Sequence, residues 1–161
     1  MNNQYEQVKE FHRAFNQAMP SSPTALSNNN ESGAVMYYMN HLSYVCKDMK
    51  TDGLGGEVIK RSSWMLEELI EFMEAKSLED QVDALTDLIY FAIGTFTLIG
   101  VKPEPFFNIV HEANMGKLHE DGKPKFDQQG KIVKPTGWAD KYAPEPKIIE
   151  ELKRQIAESQ T

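Results

Sequence analysis

The sequence lacks most of what an exported or membrane-bound protein needs. Cys46 is the one cysteine among 161 residues, so an internal disulfide is excluded and nothing indicates an oxidising compartment. The longest apolar stretch, residues 88–101, is interrupted by glycine and threonine and is too short to span a bilayer. The opening residues MNNQYEQVKE are polar, so we expect no signal peptide. A cytoplasmic protein that does not bind membranes is predicted.

Positive charge is also scarce. The chain has 17 lysine and arginine residues against 24 aspartate and glutamate residues, which gives a net charge of −7 at pH 7. Proteins that coat nucleic acid neutralise its phosphates with clustered cations, so we predict no nucleic-acid partner. A small polyanionic ligand remains compatible with this charge if a metal ion or a few lysines supply positive charge locally.

Apolar residues recur at helical spacing through most of the chain, and no convincing strand pattern precedes residue 123. The predicted fold class is all-α, an antiparallel bundle of about four to five helices with a C-terminal loop or small hairpin and a tail. The length and the 40% hydrophobic content predict a single domain, 1–161. Its predicted parts are an N-terminal helix and polar loop (1–33), a helical core (34–118) and a loop-rich tail with a terminal helix (119–161).

The predicted helices span about 4–18, a segment around 36–45, 57–76, 78–100, 104–118 and, as an exposed terminal segment, 146–158. The segment TDGLGGE is interpreted as a turn. Ser77 joins the third and fourth helices, and we expect it to cap the fourth. Because a connection this short folds the chain back on itself, the two helices should pack antiparallel.

Five of the carboxylates in these two helices lie beside apolar residues at spacings that place them on shared helical faces. Several negative charges beside apolar residues would repel one another or shift their pKa values. Oxygen-only ligands suit Mg²⁺ or Mn²⁺ rather than zinc. We therefore predict a divalent metal site built from Glu68, Glu71, Asp83 and Asp87, with Glu67 beside the first pair.

The alternative is that these carboxylates form solvated polar stripes, the usual place of acidic residues on amphipathic helices. For any single carboxylate that interpretation is favoured. For the five together the metal site is favoured, because Glu67 and Glu68 cannot both lie at the centre of one exposed face while neighbouring leucine, isoleucine and methionine occupy the other.

The order of four sequence segments is more specific than either acidic pair. The segments are EELIEFMEA, DALTDLIYFAIGT, HEANMGKLHEDGKP and GKIVKPTGW. Together they resemble the all-alpha nucleoside triphosphate pyrophosphohydrolases, the MazG-like superfamily, and most closely the phosphoribosyl-ATP pyrophosphohydrolase-like group. Residues 57–138 show the resemblance well, and the N-terminal run VKEFHRAF shows it more loosely.

One acidic motif of the family is altered in this chain. The first motif, Glu-x-x-Glu, matches the pair on the third helix. The second is usually Glu-x-x-Asp, yet Ala84 stands three residues before Asp87, and Asp83 stands four before it. Asp80 and Asp83 form an alternative pair at the family's spacing, with aspartate replacing glutamate. Asp83 belongs to the metal site in either alignment.

The resemblance implies hydrolysis between the alpha and beta phosphates of a (deoxy)nucleoside triphosphate, with release of a monophosphate and pyrophosphate. Water activated by the metal ion would attack, and Glu67 would be the catalytic residue that orients or deprotonates it. The expected substrate-binding residues are Asn114, Lys117, Lys134 and Trp138, the last in a loop.

We also expect a homodimer or a higher homo-oligomer. The family resemblance suggests it, and apolar residues occupy more of the helical surface than one antiparallel hairpin can cover. They are Phe91, Ile93, Phe96, Leu98 and Ile99.

Two other functions are compatible with the sequence. A catalytically silent regulatory protein would keep the helical fold and its metal, and Ala84 favours this reading. A purely structural helical interaction module would leave the acids as surface charge. Metal binding separates the structural module from the other two functions, and pyrophosphate release separates the enzyme from the silent protein.

Overall fold

The structure, a computed structural model, describes residues 1–27, 33–51, 53 and 56–160. These residues are mostly helical and contain no strand longer than an isolated bridge, so the all-α prediction is confirmed. The described helices are α1 (Asn2–Ala14), α2 (Gly33–Thr51), α3 (Gly56–Glu74), α4 (Leu78–Leu98), α5 (Glu104–Met115), α6 (Trp138–Tyr142) and α7 (Pro144–Ser159). Parts of the polar loop and of the TDGLGGE turn lie outside the described residues.

The chain divides into two compact units. The central unit is Pro20–Gly100 and contains α2, α3 and α4. The terminal unit combines Met1–Met19 with Val101–Thr161 and contains α1, α5, α6 and α7. The prediction of a single domain is not tested by this division and stays a prediction. Within the described ranges, no helix is long and apolar enough to cross a membrane.

In the central unit, α3 and α4 form a helical hairpin, and α2 packs against α3. The Ser77 hydroxyl accepts a hydrogen bond from the Asp80 backbone N–H at 3.1 Å, as its position in the sequence predicts. The Arg61 side chain crosses from α3 to α4, where it donates to the Phe91 carbonyl at 2.7 Å and to the Thr95 hydroxyl at 3.0 Å. These bonds fix how α3 lies along α4.

Gly94 makes room for this arginine. A Cβ atom at Gly94 would lie 2.8 Å from an Arg61 guanidinium nitrogen. Gly94 therefore leaves space for the side chain that joins the two helices.

In the terminal unit, α5 packs against both α1 and α7. The Gln7 amide donates to the Asn108 side chain at 2.9 Å, across 101 residues of sequence. Phe15, 1% exposed, packs in the core of this unit, and Phe106 is also buried. Gln155 of α7 accepts from the Lys102 N–H at 2.9 Å and donates to the Lys102 carbonyl at 3.2 Å.

Helix ends differ from the sequence predictions where the backbone turns early. Helix α1 ends at Ala14 rather than near 18, because Asn16 adopts a left-handed φ of 54° before Pro20 is reached. Helix α5 ends at Met115 rather than Leu118. Helix α2 extends well beyond the segment around 36–45.

The expected C-terminal hairpin is present as a single bridge between Phe126 and Ile132. The expectation that Trp138 lies in a loop is wrong. Gly137, at φ 75°, turns the chain so that Trp138 begins the five-residue helix α6. Trp138 is 9% exposed, so its ring belongs to the buried part of the terminal unit.

Candidate active site

The five predicted carboxylates converge in the central unit. The pKa of Glu68 is raised above its ordinary value, first by burial and then by four neighbouring negative charges. In decreasing order of effect these belong to Glu71, Asp87, Glu67 and Asp83. Carboxylates from α3 and α4 therefore act on one another across the hairpin, as the helical spacing predicts.

A cleft of about 270 Å³ lies at the end of this cluster nearest the hairpin bend. Its walls are formed by Glu71, Glu74, Ala75, Asp80 and Asp83. Glu74 was not among the predicted residues, although it follows Glu71 at the same three-residue spacing that identified the first pair. Asp80 lines the cleft, while the charge of Asp87 contributes to the raised pKa of Glu68 after burial and Glu71. The Asp80–Asp83 pair and the Asp83–Asp87 pair therefore both stay possible, and Asp83 belongs to each.

The donor set of this cluster fits a hard divalent cation. All of its candidate ligand atoms are carboxylate oxygens, the ligands that Mg²⁺ and Mn²⁺ prefer. Burial raises the pKa of Glu68 first, and neighbouring negative charge, which a cation would neutralise, raises it further. In their present conformations, no three described His, Cys, Asp or Glu side chains are close enough together to hold an ion. Binding a metal would therefore require the carboxylates to change rotamer.

Glu67 is held differently from its neighbour Glu68. The fully buried Ser63 hydroxyl donates to Glu67 Oε1 at 3.3 Å, one helical turn away. Lys47 Nζ of α2 lies 3.5 Å from the same oxygen. These two contacts restrain the Glu67 carboxylate at Oε1.

Ala84, the departure from the family's acidic motif, is 2% exposed on the buried side of α4. A carboxylate at this position would have to lose its water, which is costly without a partner. Packing therefore explains the small residue, and Asp83 beside it retains an acidic group.

The four predicted substrate-binding residues come together in the terminal unit. Lys117 Nζ donates to Asn114 Oδ1 at 2.7 Å. The pKa of Lys117 is lowered, first by burial and then by the positive charge of Lys134. Lys134 Nζ lies 3.7 Å from the centre of the Trp138 ring, in a cation–π contact. The two ammonium groups repel each other, so an anion bound beside both of them would be stabilised.

Trp138 and Gly116 determine how this cluster is packed. The Trp138 indole N–H donates to the Ala113 carbonyl of α5 at 3.0 Å. Tyr142, at the end of α6, packs directly on Gly116. A Cβ atom at Gly116 would lie only 2.4 Å from the Tyr142 ring, so no larger residue fits without movement of the ring. The sequence did not identify the need for glycine at position 116, because its backbone φ of −63° is open to any residue and only the contact with Tyr142 requires glycine.

The profile of the phosphoribosyl-ATP pyrophosphohydrolase family matches residues 8–114. A solved structure from Exiguobacterium sp. 255-15, provisionally described as an NTP pyrophosphohydrolase, is 29% identical to this chain, with a TM-score of 0.65 over 98% of each chain. No curated protein sequence matches the chain at a significant level. The matched range includes the acidic cluster and Asn114, whereas Lys117, Lys134 and Trp138 lie beyond its end.

Proposed function

Because the chain belongs to the phosphoribosyl-ATP pyrophosphohydrolase family, we propose that it hydrolyses a nucleoside triphosphate between the alpha and beta phosphates, releasing a monophosphate and pyrophosphate. Family membership and the similarity to the Exiguobacterium structure establish a pyrophosphohydrolase in general terms. The convergence of carboxylates from α3 and α4 on Glu68 is the observation that supports the finer proposal. A deoxynucleotide is slightly favoured, and the cytoplasmic location stays a prediction.

Glu68, Glu71, Asp83 and Asp87 are the residues that we propose as ligands of Mg²⁺ or Mn²⁺. When bound, such an ion lowers the pKa of water and orients phosphoryl oxygens. The negative charge of the carboxylates would attract the ion to this partly buried site.

Glu67 is proposed to orient the attacking water and to accept its proton. Its contacts with Ser63 and Lys47 hold one carboxylate oxygen, Oε1, in a fixed direction. The second oxygen, Oε2, is then available to the water. A carboxylate fixed in this way loses less freedom when the reaction begins.

Lys117 and Lys134 are proposed to bind the distal phosphates. Burial makes the Lys117 ammonium less well hydrated, which strengthens its attraction to a phosphate oxygen. Asn114 holds Lys117 in place. Trp138 contributes by holding Lys134 over its ring face. Neutralising the beta and gamma phosphates would stabilise pyrophosphate as the leaving group.

Hydrolysis in ¹⁸O-water tests the bond that is cleaved. A screen of nucleoside triphosphates with Mg²⁺, followed by chromatography, identifies the substrate. Attack on the alpha phosphorus should place the label in the monophosphate and leave pyrophosphate unlabelled. Labelled orthophosphate together with a diphosphate product would show that the terminal phosphate is removed instead.

We further propose that the chain forms a homodimer through the central unit. Helix α4 exposes a stripe of large apolar side chains at helical spacing, which costs free energy in water unless another surface covers it. It consists of Val82, Leu85, Ile89 and Ile93, which are 41–54% exposed. A second copy of the chain is the occupant that the family resemblance suggests.

Light scattering at micromolar concentration should give the mass of a dimer, and Ile89→Asp should give the mass of a monomer. The matched control is Ile156→Asp, since Ile156 is a similarly exposed isoleucine of α7 in the terminal unit. A monomeric wild type would refute the proposed assembly, and so would dissociation by the control alone.

A further inference from the structure

His119 connects the segment after α5 to the hairpin segment that precedes Lys134. Its ring Nε2 lies 3.0 Å from the carbonyl oxygen of Val133. Because a carbonyl oxygen only accepts hydrogen bonds, Nε2 must carry a proton and donate. Val133 is the residue before Lys134, so this bond acts on the backbone that positions the lysine.

The segment between His119 and Val133 is internally constrained. The His119 N–H donates to the Lys123 carbonyl at 3.0 Å, and the Val133 N–H donates to the Lys125 carbonyl at 2.8 Å. The Asp127 carboxylate accepts bonds from the N–H groups of Gln129 and Lys131 at the hairpin tip, both at 2.9 Å. We expect a segment constrained at its tip and its base to move as one piece. The His119 contact at its base therefore influences the position of Lys134.

Lys134 needs such a contact because it is placed against a like charge. The pKa of Lys117 is lowered first by burial and then by the positive charge of Lys134, so the two ammonium groups repel each other. In the absence of an anion, this repulsion favours separation of the two side chains. The Trp138 ring restrains the Lys134 side chain, and the His119 bond restrains its backbone.

We propose that His119 is a positioning residue whose bond to the Val133 carbonyl holds Lys134 beside Lys117, so that the two ammonium groups together bind the phosphates of the substrate. This inference rests on the proposed function, in which these lysines bind the distal phosphates. Lys117 lies on the turn that follows α5, and Lys134 lies on the hairpin segment that follows it in the chain. His119 joins those two segments.

The test compares two replacements of His119. His119→Phe keeps a ring of similar size and removes the donor, whereas His119→Gln places an amide N–H near the position of Nε2. His119→Phe should weaken binding of inorganic pyrophosphate, and raise KM for the nucleotide, by about five- to tenfold, the value of one hydrogen bond. His119→Gln should restore most of the loss, and kcat should change less than KM in both variants.

A second readout requires no substrate. The Lys117 pKa, measured by NMR on ¹³C-labelled lysine, should rise toward its ordinary value in His119→Phe, because Lys134 then moves away. It should stay lowered in His119→Gln. The matched control is His111→Phe in α5, the helix that precedes the His119 segment, because the His111 ring contacts Glu10 at 3.3 Å instead of the hairpin.

Equal behaviour of the Phe and Gln variants would refute the positioning role, and so would an equal effect of His111→Phe. Failure of the proposed function gives a different result. If the wild type binds pyrophosphate but hydrolyses no nucleoside triphosphate, the enzyme assignment is wrong, while the difference between the two His119 variants in pyrophosphate binding still supports the positioning role.

Discussion

The Glu68→Gln variant should lose turnover by more than about a hundredfold, while its metal-free form should unfold at a higher temperature than the wild type. Replacing residues that merely support metal ligands costs 10–100-fold, so removal of a ligand should cost more. The gain in stability has a separate cause, the removal of a negative charge that its neighbours repel. The Glu68 carboxylate is repelled by four neighbouring carboxylates, and glutamine is uncharged at nearly the same size. Steady-state assays with Mg²⁺ and thermal unfolding in EDTA measure the two effects.

The gain in stability should depend on pH. Because the folded-state pKa of Glu68 is raised above 4.5, folding favours its protonated form. The stabilisation from protonation is fully present below 4.5 and is lost as the pH rises through the raised value. The advantage of Glu68→Gln should therefore be largest at neutral pH and should disappear as the pH falls to 4.5.

Glu57→Gln is the matched control for Glu68→Gln. Glu57 lies in the first turn of the same helix, 63% exposed and paired with Lys60 at 3.5 Å. Its replacement should leave turnover unchanged. Metal-dependent turnover that survives in Glu68→Gln, or that falls equally in Glu57→Gln, would show that the acidic cluster is not the metal site.

Gly116→Ala should destabilise the protein by about 2 kcal/mol, the usual effect of forcing an extra methyl group into a packed position. The new Cβ atom would lie 2.4–2.7 Å from three carbons of the Tyr142 ring, which cannot bend away as a flexible chain can. Helix α6 should shift, and Trp138 and the Lys134 ammonium above it should shift with it. For a chain of this length the midpoint of thermal unfolding should fall by about 4–8 °C.

The shift of α6 should also appear in the fluorescence of Trp138, measured in a Trp64→Phe background that removes the other tryptophan. The emission should shift to the red, since Trp138 would gain access to water. The matched control is Gly33→Ala at the start of α2, where a Cβ atom meets nothing within 4 Å. That variant should keep or slightly raise the midpoint, because alanine favours helix over glycine. An unchanged midpoint in Gly116→Ala would mean that Tyr142 has room to move.

The central unit was largely predictable because its information is local. Helical periodicity placed α3 and α4, Ser77 marked their junction, and three- and four-residue spacings brought the carboxylates to shared faces. The bond from Arg61 to the Phe91 carbonyl was not predictable, because an arginine in an amphipathic helix usually points to solvent. Glu74 was missed although its spacing from Glu71 was visible.

The terminal unit was less predictable because its contacts join distant segments. Lys117 and Lys134 are 17 residues apart and meet through a turn, a hairpin and the His119 bond, none of which has a strong sequence pattern. Helix α6 has five residues, too few for any periodicity to appear. The burial of Trp138 depends on the Ala113 carbonyl, a partner that no local pattern indicates.

The two units also differ in when they can form during synthesis of the chain. The central unit is continuous, so its three helices can associate as soon as residue 100 has left the ribosome. Helix α1 is made first, but its partner Asn108 of α5 is made 101 residues after Gln7. Until then Phe11 of α1 and Phe15, the residue that follows this helix, lack the rest of the terminal unit. We therefore expect α1 to be open to chaperones and to aggregation during the time before α5 is made.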